Sequence, residues 1–288
     1  MAAQNGMRIL TQSFKAEEHY PRMIPKHCEV CKTTDNLLRC GGCETYYYCG
    51  RDHQLRDRPT HKTTCKTIKN SKATVREIEA KLRSGQVVPE NVLDTEAGQL
   101  WRLGPVRPYL QAIFVQAETL VRSWRRQGIE DALDAYLKLL RLDRSDRQGA
   151  RFLIPALYLR LGRDQEAYDF SKGWAYQFRG TAEAKQLEDP DQAYLHVKDA
   201  DATEGVELWT GSNFMQLPFV SSVALVKMRL VLSLEYVRDA RSKIPAGSPV
   251  PSVKEILDPV RGDWCGDIIE RLPVEVFASD SSMLEKRE

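Results

Sequence analysis

Eight residues between positions 28 and 65 carry side chains suited to metal: Cys28, Cys31, Cys40, Cys43, Cys49, His53, His61 and Cys65. Their spacing is C-x2-C-x8-C-x2-C-x5-C-x3-H-x7-H-x3-C. Eight thiolate and imidazole donors are enough for two tetrahedral zinc ions. A CxxC pair on a tight turn brings two sulfurs to one metal, and Gly41 and Gly42 suit such a turn. The x3 spacings of Cys49/His53 and His61/Cys65 put two donors one turn apart on a helical face. Two knuckles followed by two short helices are expected. His27, beside Cys28, is a possible substitute ligand, but His53 has the better spacing to Cys49.

Zinc held this way is structural. All eight donors close two sites and leave no open position for catalysis. Apart from Tyr46, Tyr47 and Tyr48, the segment has few large apolar residues. So small a core would hardly fold alone, whereas two metals supply folding free energy directly. The six clustered cysteines argue for metal over a disulfide framework, which would spread along a secreted fold. Spacing leaves the pairing open, because the first four cysteines could share one ion.

The run Cys28-Glu29-Val30-Cys31, Cys40-Gly41-Gly42-Cys43, Tyr48-Cys49-Gly50-Arg51-Asp52-His53-Gln54 and His61-Lys62-Thr63-Thr64-Cys65 resembles the MYND-type zinc finger. The resemblance implies interleaved sites, Cys28/Cys31/Cys49/His53 and Cys40/Cys43/His61/Cys65. His53 stands where that family ordinarily has cysteine, a mild exchange because imidazole is a good zinc ligand. Arg58 stands where the family has a tryptophan that, with the equivalent of Gln54, helps some members grip proline-rich peptides. Gln54 carries over and the aromatic platform does not. With its helical remainder, the chain also looks like fungal MYND-type proteins with a tetratricopeptide-repeat-like C-terminal region.

That remainder is read as all-α. Across 288 residues, 42% hydrophobic and 28% charged, the composition is that of a globular protein. Apolar residues at steps of three and four predict helices over 74–84, 109–126, 130–142, 147–161, 164–178 and 219–241, with short ones at 253–257 and 267–272. The expected organisation is a loosely ordered arm (1–25), the finger (26–68), a domain of antiparallel helical hairpins (72–279) and a flexible tail (280–288). Ile154, Tyr158, Gly162 and Ala167 have the spacing of a tetratricopeptide unit: Gly162 for the turn, Ala167 for close helix approach. Ala132 and Tyr136 echo it upstream, but Gln127 stands where the turn glycine should be. Core packing is the default for Trp101, Trp124, Trp174 and Trp209. Cys265, His19 and His196 are read as structural or solvated.

A net charge of +2 gives no electrostatic case for nucleic acid as a partner. Nine Lys or Arg against five Asp or Glu over 26–69 offset the clustered thiolates. The most apolar stretch, 217–234, contains Lys227 and Arg229, which weighs against a membrane span. The N-terminus lacks the apolar core of a secretory signal, so the chain reads as intracellular, cytoplasmic or nuclear. No GxSxG, HExxH or phosphate-binding glycine loop is present. The expected function is a zinc-binding protein–protein interaction module, a non-catalytic adaptor or scaffold with a protein or peptide partner. The rivals are a MYND-associated lysine methyltransferase, whose cofactor motifs are not visible, and a transcriptional co-regulator. The hairpins, with a groove between 109–142 and 147–178, are the expected partner surface, and Gln54 with Tyr46–Tyr48 is the rival one.

Overall fold

The computed structural model describes residues 25–179, 197–210, 216–245, 249, 251–260 and 266–271. The arm but for Pro25, the tail, His19, His196 and Cys265 lie outside the described residues. A two-stranded antiparallel ribbon comes first, β1 (Leu38–Arg39) with β2 (Tyr47–Tyr48), pairing Leu38 with Tyr48 and Arg39 with Tyr47. Among the described residues, every named element after it is helical.

The first helix, α1 (Arg51–Arg83), has 33 residues. A short helix beginning at Thr74 was expected; instead one helix runs unbroken from the finger, and the expected division at 68–72 falls inside it. Its buried residues are His61, Cys65, Ile68, Val75 and Leu82, a single stripe at helical spacing. The first two are metal-binding types. The stripe therefore begins as donors and continues as aliphatic core, which is why 62–74 looks too polar to be helical by apolar count alone. Pro59 lies inside the helix, where it removes one backbone donor. The helix stops at Ser84, followed by Gly85 at φ +73°.

After the short α2 (Val92–Thr95), α3 (Arg107–Val121) and α4 (Arg126–Leu142) form the first hairpin. On α4, Ile129, Leu133, Tyr136 and Leu140 are buried on one face. Each side chain so buried is worth about 1.5–3 kcal/mol relative to exposure. The helix α3 also packs on α1. The second hairpin is α5 (Ile154–Leu161) and α6 (Asp164–Arg179). The start of α5 is later than the apolar pattern suggests. Gly149 at φ +77° breaks the chain, and the Asp146 carboxylate accepts from Ala150 N at 2.8 Å and Arg151 N at 3.1 Å. Gly162 turns α5 into α6 at φ +69°, and Ala167 is fully buried, both as the repeat-like spacing predicts.

The two hairpins turn differently. In the α3–α4 turn the left-handed residue is Trp124, at φ +54°. Gly128 sits in the first turn of α4, where an added Cβ would lie 2.7 Å from Leu120 O and 3.2 Å from Thr45 Cγ2. Its role is close approach, not the turn. The faces of α4 and α5 meet directly.

The short α7 (Glu207–Thr210) precedes α8 (Leu217–Ser242), which packs on α5 and α6; α9 (Val253–Leu257) follows. The helix α8 is long and apolar enough to cross a membrane by composition. Yet Lys227 Nζ donates to the carbonyls of Ala202 (2.8 Å) and Glu204 (2.6 Å), and Arg229 pairs with buried Asp164 at 2.7 Å. Its central cations are thus held by the fold. Trp174 and Trp209 are buried as expected, whereas Trp124 is 41% exposed.

Candidate metal centre

The donors converge into two groups, Cys28, Cys31, Cys49 and His53, and Cys40, Cys43, His61 and Cys65. Within each group the four donor atoms lie within 4.8 Å of one another. The arrangement is interleaved: each group takes one CxxC knuckle, the second with His61 and Cys65 one turn apart on α1, the first with His53 of α1 and with Cys49, which stands just before the helix instead of on its face as expected. The sequential alternative, with the first four cysteines on one ion, does not occur. His27 is in neither group; its Nδ1 lies 2.9 Å from the Pro25 carbonyl.

The edges of these groups fit zinc. Cys31 Sγ and Cys49 Sγ are 3.6 Å apart, and Cys40 Sγ and Cys65 Sγ 3.7 Å. A tetrahedron built on Zn–S bonds of about 2.3 Å has edges of about 3.8 Å. A disulfide would need about 2.05 Å. His53 turns Nδ1 toward Cys49 (3.0 Å) and Cys28 (3.5 Å). His61 turns Nε2 toward Cys43 at 3.5 Å, while its buried Nδ1 has no hydrogen-bond partner. The His61 ring is held by Tyr46, whose ring centroid lies 4.1 Å away.

The first knuckle rises from the segment before β1, the second from the turn joining β1 to β2. In each the local backbone prepares a thiolate. Burial opposes ionisation of Cys28, but backbone N–H groups of Cys31, Cys49 and Val30 outweigh it and lower the thiol to about 6. At Cys40, burial again opposes, and the N–H groups of Cys43 and Gly42 bring the thiol to about 6. Their companions resist: burial first, then repulsion from Cys40 and Cys65, pushes Cys43 up to about 12. Cys49 is raised to about 11, chiefly by its hydrogen bond with Cys31. A dication removes that repulsion, so metal binding releases protons.

Gly42 serves more than the turn. An added Cβ there would stand 2.9 Å from Cys65 Sγ, whereas Gly41 faces open space. The second knuckle thus presses its backbone against the α1 donor. The second group is buried throughout; the first has exposed Cys31 and half-buried Cys49 and His53.

Around the donors, the tyrosines face inward. Tyr48 Oη donates to Asp57 Oδ2 at 2.7 Å, and Tyr47 Oη donates to Gln127 Oε1 at 2.7 Å. All three of Tyr46, Tyr47 and Tyr48 are buried. They are structural packing, which removes them as the exposed docking surface considered above. Arg125 Nε donates to Glu29 Oε1 at 2.7 Å, Lys26 pairs with Glu130 at 2.8 Å, and Lys72 bridges Glu44 (3.5 Å) and Asp131 (3.2 Å). These contacts fasten the knuckles to the start of α4. The sequence pattern gave no sign of them, since each partner alone reads as a surface polar residue.

Two Cys/His groups of four donors each, on a small ribbon and a helix, define a two-zinc module. Residues 28–65 match the MYND finger family, and the segment is a MYND finger with two zinc sites. Egl nine homolog 1 of Mus musculus is 45% identical over 40 residues, and that of Homo sapiens 42% over 40. Each match covers 14% of this chain, and 10% and 9% of those proteins respectively. The chain thus spans about a tenth of the length of these curated relatives, over the finger alone. No solved structure gives a significant match to the chain.

Proposed function

We propose that the protein is a non-catalytic adaptor in which the MYND finger and the helical hairpins act together as a protein-binding unit. The observation that carries this reading is the closure of both metal groups. With four protein donors each, neither ion has a position left to activate water or a substrate. The zinc instead rigidifies a surface, and a preorganised surface binds with less ordering cost. The ion pairs from the knuckles to α4 support a unit in which the finger's face and the hairpin's face are presented as one.

The test is affinity capture from cell extract with zinc-loaded full-length chain, against the same chain stripped by a chelator. A partner retained by the loaded form and lost from the stripped form is expected. Incubation with S-adenosylmethionine and histones or peptides is the control for the enzymatic rival. Methyl transfer there would overturn the adaptor reading.

A further inference from the structure

Beside the metal sites, where the finger meets the hairpin, an open cleft of about 180 Å³ is walled by Pro25, Tyr47, Trp124 and Gln127. The cations Lys26, Lys32, Arg125 and Arg126 also line it. Two carboxylates are paired with them: Glu29 with Arg125, and Glu130 with both Lys26 and Arg126. Lys32 Nζ donates to the Glu29 backbone carbonyl at 3.0 Å. Four cations against two carboxylates leave a surplus of two positive side-chain charges, one of which offsets the net −1 of the neighbouring three-thiolate zinc group.

Trp124 is the second observation. It occupies the left-handed region, φ +54°, at the turn where the other hairpin uses Gly162. A bulky residue there costs on the order of 1 kcal/mol or more that glycine would not. The fold does not recover this by burying the indole, which is 41% exposed. Its ring is held from one side by Arg160, whose guanidinium carbon stands 4.4 Å from the centroid. An exposed tryptophan kept at a strained turn, on the rim of a cationic cleft between two packed units, has the makings of an anchor.

We propose that this cleft binds an extended acidic segment of a partner protein, with a carboxylate set against Lys32 and Arg126 and an apolar side chain set against Trp124. The inference rests on the adaptor reading and adds to it the place and chemistry of the contact. The cleft is far too small for a drug-sized molecule but has room for a side chain or two. A peptide matches its scale better than a polynucleotide, which would draw on a longer cationic track than this cleft offers.

The experiment uses full-length, zinc-loaded protein and three fluorescein-labelled peptides, read by anisotropy. The first alternates glutamate with phenylalanine, the second replaces glutamate with lysine, and the third replaces phenylalanine with alanine. Binding of the first, weakened by salt, and weaker binding of the other two are expected. Trp124→Gly should weaken the first peptide by about tenfold while leaving the thermal midpoint unchanged or higher, since glycine suits that backbone. Lys32→Glu should weaken it as well and strengthen the lysine peptide, with zinc content unaltered. Equal binding of glutamate and lysine peptides, unchanged affinity in either variant, or tighter binding of a single-stranded oligonucleotide than of the first peptide would overturn the proposal. If both variants still capture the partner found with the parent chain, this cleft is refuted and the adaptor reading stands.

Discussion

Tyr47 of the finger ribbon donates a 2.7 Å hydrogen bond to Gln127, 80 residues further along at the start of α4. Gln127 in turn donates from Nε2 to Asp131 Oδ1 at 2.7 Å, and Asp131 takes Lys72 of α1. One polar chain therefore links the ribbon, the hairpin and the helix that carries three of the donors. A zinc finger free to swing on a linker would have no such chain.

That bond should be measurable as coupling. Tyr47→Phe and Gln127→Ala, alone and together, are expected to give an interaction free energy of about 1 kcal/mol in urea unfolding. Strictly additive losses would mean that the contact contributes nothing to the joining of the two parts.

Gly42 and Gly41 make a matched pair. Gly42→Ala drives a Cβ into the space beside Cys65 Sγ, 2.9 Å away, whereas Gly41→Ala meets nothing. Zinc competition with a colorimetric chelator should show one weakened ion out of two in Gly42→Ala and the parent profile in Gly41→Ala. His53→Ala is expected to release the other ion, counted by native mass spectrometry.

Chelation should divide α1. Its first half is held by His53, His61 and Cys65 and contains Pro59; its second half packs Val75 and Leu82 with α3. An isolated stretch of about 15 residues is marginal as a helix in water. Circular dichroism should therefore lose about half of one long helix and keep the rest. Complete collapse of helicity would show that the hairpins cannot stand without metal.

Acid stability should carry the mark of Asp146. Burial first, and then Asp143 nearby, raise its carboxyl from 3.8 to about 6, against the pull of Arg151 and of the Ala150 and Arg151 backbone donors. A carboxyl raised in the folded state favours folding while protonated, and that contribution is lost as pH climbs from 3.8 through about 6. Asn at this position keeps an acceptor without the titration. The stability of Asp146→Asn relative to parent is expected to rise by about 2–3 kcal/mol between pH 4 and 7. A flat difference would show that the carboxylate is not desolvated.

The donors were legible because coordination is written in side-chain identity and spacing: His61 and Cys65 lie one turn apart on α1 as their spacing announces, whereas Cys49 shares its group with His53 from just before the helix. The hairpins were legible where apolar residues alone make the face, as in Leu133, Tyr136 and Leu140. Reading failed where other chemistry takes that place. In α1, His61 and Cys65 occupy positions of the buried stripe that Ile68, Val75 and Leu82 occupy later, so an apolar count loses the helix halfway. Resemblance had pointed to the interleaved pairing, which spacing alone could not decide. Trp124 read as core because a left-handed backbone leaves no trace in residue type when the residue is not glycine. The partners of Glu29, Gln127 and Glu130 depend on the meeting of distant segments, which no local pattern encodes.

The shared stripe of α1 gives the junction a phase as well as a length. The helix advances by about 100° per residue, so one residue inserted between Cys65 and Val75 would turn the donors about a quarter-circle away from the aliphatic face. The chain could then satisfy the second zinc group or the packing on α3, but not both. An insertion of seven residues nearly restores the angle, to within about 20°, while lifting the finger away from Gln127 and Glu130. Two insertions at one site would thus separate what the metal needs from what the hairpin needs.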